Sequence, residues 1–312
     1  SYMRLNQLFN TIKRKRYFIK IFLNEYVMGS IFNNYSQSLS PGSIVYIADS
    51  NIWPGGLVDR LKGIISLYDY SRKHKLDFYI YLSNNRDFTN YLTLKNNNMS
   101  LNQLDRNMFK NKLCYHLDDT ELRDLDNVID RSRINHIYLN QNLLKYQYSN
   151  NDGKWHELYQ KLFTPSESII KNVEKVVSKY QEYIAFHFRF GPLLGDFDDN
   201  GFIWDESKQK DEMEIINKSV LKHIANYPTY NIYIASDSSK FVKQLYEKNQ
   251  NIFFYNKLSN ASMDNYEQSV IELLILSRAK EIVQFQRPNM KVLSFSKYAS
   301  LIGNNKYQLI KI

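Results

Sequence analysis

Short apolar runs recur along this chain, and between them apolar residues fall three and four positions apart. Ser43-Ile44-Val45-Tyr46-Ile47-Ala48 reads as a buried strand, and Asp49 to Gly56 follows as a loop rich in turn formers. From there Leu57, Leu61, Ile64, Ile65 and Tyr68 keep helical spacing, and Asp77-Phe78-Tyr79-Ile80-Tyr81-Leu82 reads as a second strand. Strand, glycine loop, helix and strand make a βαβ unit with a parallel pair. Residues 86–160 are polar and rich in Asn and Asp, and we read them as an irregular part of the first domain, apart from a strand at Lys112-Leu113-Cys114-Tyr115-His116. Thr164-Pro165-Ser166-Glu167 has the form of a helix start, with Thr as cap, Pro in the first turn and Glu three residues on.

The domain boundary is placed just before that start, giving domains 1–160 and 161–312. The second half alternates regularly. Strands are predicted at 183–186, closed by His187 to Gly191, and at 231–235, 252–255, 281–285 and 307–310, with helices around 211–226, 239–248 and 265–279 and a short one from Ser296. This pattern predicts an α/β protein of two Rossmann-like, doubly wound domains facing a cleft.

A chain of 312 residues suits two domains, and its net charge of +9 favours anionic partners: nucleotides, nucleic acid or a membrane surface. No nucleic-acid motif and no basic stripe interleaved with aromatics accompanies the charge, so a nucleic-acid-binding protein is kept only as an alternative. Lys13-Arg14-Lys15-Arg16 precedes the apolar stretch Tyr17 to Leu23, which Lys20 interrupts and which is too short to span a bilayer. A surface helix touching anionic lipid and a solvated basic face are the two readings of it. With no signal peptide recognisable, a cytoplasmic protein is expected, with peripheral contact to an inner membrane through this basic N-terminus as an option. The single cysteine, Cys114, suits a reducing compartment and reads as a buried thiol in a strand rather than a nucleophile.

Candidate chemistry gathers at strand ends. His187 and Arg189 share one face of the strand that ends near Phe188, while Phe186, Phe188 and Phe190 share the other. Open α/β sheets bind ligands at that edge, and a guanidinium fork suits phosphate. An arginine paired with a neighbouring carboxylate is the competing reading. Gly55-Gly56 before a helix lets backbone N–H groups approach an anion, with Arg60 one turn inside; a plain tight turn is the alternative. Asp237, at the end of the 231–235 strand, either meets a ligand or caps the next helix. Ser294, Phe295 and Ser296 precede a helix and offer hydroxyls and N–H groups, as a phosphate cradle or a serine cap. Glu272 accepts a hydrogen bond from a base or ribose if it faces the cleft. Asp196-Phe197-Asp198 has the form of a divalent-metal clamp, but no His or Cys cluster supports a transition metal, and no metal is assigned.

These pieces occur in the order of one family. Gly55-Gly56-Leu57-Val58-Asp59-Arg60-Leu61 resembles the Gly-Gly-Leu-Gly-(Asp/Asn)-Arg-Leu loop of GDP-fucose-dependent fucosyltransferases, the superfamily that includes α1,2-, α1,6- and protein O-fucosyltransferases. His187-Phe188-Arg189-Phe190-Gly191 resembles its His-x-Arg-x-Gly motif, Ile234-Ala235-Ser236-Asp237 its second, and Glu272 to Ser296 its third. The resemblance implies a GT-B fold and an inverting, metal-independent glycosyltransferase that moves L-fucose from GDP-fucose to a glycan acceptor, as in surface polysaccharide synthesis. GDP-fucose would be a donor substrate, and no cofactor is implied. Arg189 would hold the β-phosphate, and His187 and Glu272 would lie near guanine and ribose. Ser294, Phe295 and Ser296 would cradle the diphosphate, which Gly55, Gly56 and Arg60 would approach from the N-terminal domain. Asp196, Asp198 and Asp199 are candidates for the base that deprotonates the acceptor. Val58, Pro192, Glu272 and Leu293 depart from the family's pattern. They leave open another nucleotide sugar, or a protein that binds without catalysing.

Overall fold

A computed structural model of the chain describes residues 16, 18–27, 39–49, 51–52, 55–83, 85–115, 125–180, 182–197, 201–249, 251–255, 266–290 and 294–312. The chain divides into two compact units, one made of 1–89 and 94–163, the other of 90–93 and 164–312.

The first unit carries a five-stranded parallel sheet in the order β4-β2-β1-β6-β5. Its strands are β1 (Ile44–Ala48), β2 (Phe78–Leu82), β4 (Ser100–Leu101), β5 (Asn111–Tyr115) and β6 (Ile134–Tyr138). β1 is buried along its whole length, as a central parallel strand must be. The segment 86–160, expected to be irregular apart from one strand, supplies three of the five: the expected one, β5, and also β4 and β6. Its β6 escapes a pattern search because Asn135 and His136 sit in its buried middle. Asn135 is satisfied by the carbonyls of Asp130, Arg133 and Ser43, so its burial costs little. Helix α1 (Leu57–His74) crosses from β1 to β2, and α2 (Asn151–Leu162) closes the unit. Gly63 marks how closely α1 lies on the sheet: a Cβ there would be 2.0 Å from the Leu139 carbonyl oxygen.

The second unit also carries a five-stranded parallel sheet, in the order β10-β9-β8-β11-β12, with its last strand at the edge, whereas in the first unit the last strand, β6, lies beside β1 and β5 takes the edge. The second unit's strands are β8 (Tyr183–Phe188), β9 (Asn231–Ser236), β10 (Ile252–Phe253), β11 (Glu281–Gln286) and β12 (Lys306–Lys311). Its helices are α3 (Glu167–Val177), α4 (Glu206–Ile224), α5 (Ser239–Lys248), α6 (Tyr266–Ser277) and α7 (Phe295–Gly303). The start of α3 lies later than expected. Thr164 and Pro165 belong to a short strand, β7 (Phe163–Pro165), which pairs with β3 (Leu92–Leu94), and Ser166 takes the cap position. The backbone of Ser166 donates to Tyr91, which keeps this stretch extended.

Alternation in β8 decides the rest. Ile184, Phe186, Phe188 and Phe190 all enter one core with Phe285, Met213, Ile216, Phe241 and Leu245, while His187 points to the opposite face. Phe188 stacks on Phe285 at 5.0 Å between ring centres. Among the described residues no helix is long and apolar enough to cross a membrane.

Candidate functional site

In the second unit the chain steps outward from β8 through β9 to β10, then returns to the other side of β8 for β11 and β12. The order reverses between β8 and β11, the place where open sheets bind ligands outside the strands' carboxyl ends. His187 on β8 is the register partner of Gln284 on β11, so the two polar side chains flank the reversal point.

His187 is buried, and its Nδ1 lies 3.0 Å from the Oγ of Ser296 in the first turn of α7. Ser296 Oγ donates to Gln284 Oε1 at 2.9 Å, and the Tyr307 hydroxyl donates to the same oxygen at 2.7 Å. A serine has one hydroxyl proton, and here it goes to an oxygen that can only accept. With the Ser296 proton given to Gln284, His187 Nδ1 donates in its contact with Ser296 Oγ. The ring of Phe295 lies 6.1 Å from that of His187. Ser294 stands at the N-cap position of α7, without a side-chain cap bond.

Arg189 stands just beyond the strand. Its Nη1 is 3.0 Å from Asp237 Oδ2, and its guanidinium carbon lies 4.2 Å from the centre of the Phe197 ring. Both charged side chains are largely buried, at 14% and 5% exposure. Asp237 also accepts the backbone N–H groups of Phe190 (2.9 Å, to Oδ1) and Gly191 (2.6 Å, to Oδ2). One carboxylate thus fixes both the arginine and the turn that follows it. Arg189 Nε is buried and has no hydrogen-bond partner. Asp237 does not cap the following helix. Ser238 does, accepting the N–H of Phe241 at 3.1 Å.

Asp196 is engaged at that same helix start. Its Oδ2 accepts from Ser238 Oγ at 2.9 Å and from the Lys240 N–H at 3.0 Å, a place the helix dipole favours for an anion. Asp198, Asp199 and Leu293 lie outside the described residues. Glu272, half-buried on α6, faces tyrosines. Burial first, then the charge of Glu272, holds the Tyr233 hydroxyl well above its ordinary pKa. Tyr255 is raised by burial and by Glu267 and Glu272.

In the first unit the glycine loop is bound to itself. Gly55 has φ +77°, and a Cβ there would meet the Asp59 carboxylate at 2.5 Å. Asp59 Oδ2 accepts the Gly56 N–H at 3.0 Å, so an internal carboxylate occupies the start of α1. Arg60 is buried, and it donates to the carbonyls of Gly55 (3.1 Å) and Arg86 (3.0 Å). The arginine expected to reach a ligand holds the loop in shape. The reversal point of this sheet, between β1 and β6, is filled. Asp49 Oδ2 accepts from Arg106 Nη2 at 2.8 Å and from the Tyr138 hydroxyl at 2.7 Å.

No protein-family model matches the sequence, and no curated protein matches it by sequence. Solved structures do match by shape. NodZ α-1,6-fucosyltransferase soaked with GDP-fucose superposes with a TM-score of 0.54 at 13% identity, over 85% of this chain and 93% of that one. An Arabidopsis thaliana FUT1 mutant in complex with GDP gives 0.58 at 12% identity, over 99% of this chain and 79% of that one. The chain has the GT-B fold of these fucosyltransferases. Within that fold the structure brings together His187, Phe295 and Ser296, and brings Arg189 to Asp237. Phe197, Gln284 and Tyr307 complete these clusters and were not singled out by sequence. Gln284 carried a signal, a polar residue in the middle of an apolar strand; Phe197 carried none. Among the described residues no cluster of three or more His, Cys, Asp or Glu side chains is placed to hold a metal ion.

Proposed function

We propose that this protein is a glycosyltransferase that transfers L-fucose from GDP-fucose to a glycan acceptor, with inversion and without a metal ion. The observation that carries the reading is Arg189: a permanent cation held beside the reversal point, with a buried Nε that has no partner. An unsatisfied buried donor costs about 1–3 kcal/mol, and an anion at that edge of the guanidinium removes the cost. NodZ and FUT1 structures of this fold were obtained with GDP-fucose and with GDP, which supports a nucleotide-sugar donor.

The chemistry follows from charge. As the sugar–phosphate bond breaks, negative charge grows on the β-phosphate and positive character on the sugar ring. A guanidinium already fixed by Asp237 stabilises that charge without reorganising. The N–H groups at the start of α7, with Ser294, lie on the same edge of the sheet and suit the diphosphate. His187, at the same strand end, is proposed to lie near the guanine or the ribose. Asp196 is committed to its helix, so the role of base for the acceptor hydroxyl passes to Asp198 or Asp199. Glu272, standing where the family has aspartate, is the feature that favours a second reading, a different nucleotide sugar on the same machinery.

Calorimetric titration with GDP, UDP and GDP-fucose, each with and without EDTA, tests this. We expect GDP and GDP-fucose to bind with affinities that EDTA does not change. Preference for UDP would transfer the assignment to the second reading, and an EDTA-sensitive affinity would end the metal-free one.

A further inference from the structure

The N-terminal segment is helical through 18–21 and continues as a π-helix over Phe22–Val27. One side of it belongs to the core of the first unit. Ile21 and Tyr26 are buried among Val45, Ile47, Leu101 and Tyr138, and Phe18 and Phe22 pack at the margin. The Tyr26 hydroxyl is 2.8 Å from His136 Nδ1, which fixes the segment's rotation. The other side presents Ile19 and Leu23, four residues apart and 53% and 50% exposed, framed by exposed Arg16 and Lys20. The charge of the whole stretch has one sign. Residues 1–24 hold Arg4, Lys13, Arg14, Lys15, Arg16 and Lys20, and no acid precedes Glu25. Six of the chain's 41 basic residues thus fall in its first 24 positions, two-thirds of the net charge of +9.

We propose that this segment docks the protein on the headgroup surface of an anionic bilayer, with Ile19 and Leu23 entering the interface and Arg16 and Lys20 facing lipid phosphates. Two aliphatic side chains alone bind a membrane weakly, and a basic cluster alone does the same; stable peripheral binding takes both signals. The pairing also tells against other occupants. A second copy would bring the same positive charge against it. A single-stranded nucleic acid calls for aromatic platforms, whereas the exposed apolar residues here are aliphatic, and a duplex gives two exposed aliphatic side chains nothing to enter. The proposal is independent of the transfer chemistry, and its failure would leave that reading untouched.

The test is co-sedimentation of the whole chain with vesicles of phosphatidylcholine alone and of phosphatidylcholine with about a quarter phosphatidylglycerol. Binding is expected to the anionic vesicles only, and to fall at least tenfold as the Debye length shrinks toward about 3 Å near 1 M salt. Ile19→Ser with Leu23→Ser should weaken it about tenfold while leaving the thermal melt unchanged, because both side chains are exposed. Lys20→Glu should weaken it further, by charge. Equal binding to neutral vesicles, no binding to anionic ones, or a double variant that binds like the parent would overturn the proposal. So would light scattering that shows a dimer which the double variant dissolves.

Discussion

Removing the Asp237 carboxylate separates a structural arginine from a poised one. In the folded protein that carboxylate accepts two backbone N–H groups and pairs with Arg189, and both partners are mostly out of solvent. Asp237→Ala leaves a buried guanidinium without its counter-charge and two backbone donors without acceptors. Breaking a buried pair from one side costs about 3–5 kcal/mol, and each orphaned donor adds to it unless water enters. We expect a loss of about 4 kcal/mol in urea unfolding, a large share of a domain's stability. Arg189→Ala should cost less, because Asp237 keeps its two N–H partners. The double variant removes the stranded charge, so it should be more stable than Asp237→Ala alone by about 1–2 kcal/mol. Adding GDP should raise the midpoint of the parent and leave that of Arg189→Ala nearly unmoved. Additive single effects in the cycle, or Asp237→Ala within about 1 kcal/mol of the parent, would show that the pair is not the clamp described here.

Three further outcomes are expected. Arg189→Ala should lower fucosyl transfer by about 10²–10³-fold, the usual cost of one oriented donor to a developing anion, with circular dichroism unchanged; near-normal turnover would remove Arg189 from the mechanism. Burial, and next the charge of Arg106, pulls the His136 pKa down to about 3. Its folded pKa lies below its unfolded one, so the stability it contributes is complete above the unfolded value near 6.5 and is lost as pH falls from there toward 3, at about 1.4 kcal/mol per pH unit. His136→Asn should flatten the urea-midpoint profile between pH 6.5 and 5 (about 6.5 being the unfolded imidazole value), and an unchanged slope would place the titration elsewhere. Gly63→Ala should destabilise the first unit by about 2–3 kcal/mol or more, since its methyl would meet the Leu139 carbonyl; a wild-type melt would contradict that close approach.

What the sequence made legible follows burial and periodicity. β1, α1, β8, β9 and β11 were readable because their apolar positions repeat at the period of the element they form. β6 was not, because its interior holds Asn135 and His136, whose burial depends on partners far away in sequence: Ser43 for one, Tyr26 for the other. The same divide runs through the candidate site. His187 and Arg189 were legible from alternation at a strand end. That Asp237 would bind the arginine and its following turn, while Ser238 capped the helix, depends on three-dimensional approach. Arg60 shows the limit of motif reading. Its position in the glycine loop matched the family, but that it donates to the carbonyls of Gly55 and Arg86 depends on the folded loop.

The two parallel sheets differ in electrostatics at the reversal point, which lies between β1 and β6 in one and between β8 and β11 in the other. In the first unit Asp49 is surrounded by donors: Arg106, the Tyr138 hydroxyl, and the backbone and side chain of Asn51. The acid is fully answered from within. In the second unit the roles are inverted. The acid, Asp237, lies beneath the turn and is answered by backbone N–H groups, while the arginine above it keeps a buried donor unanswered. A fold alone assigns no function, because both sheets present the same edge. We propose the edge formed by β8 and α7, with Arg189, for the nucleotide diphosphate rather than the glycine loop, whose Gly56 N–H is already held by Asp59.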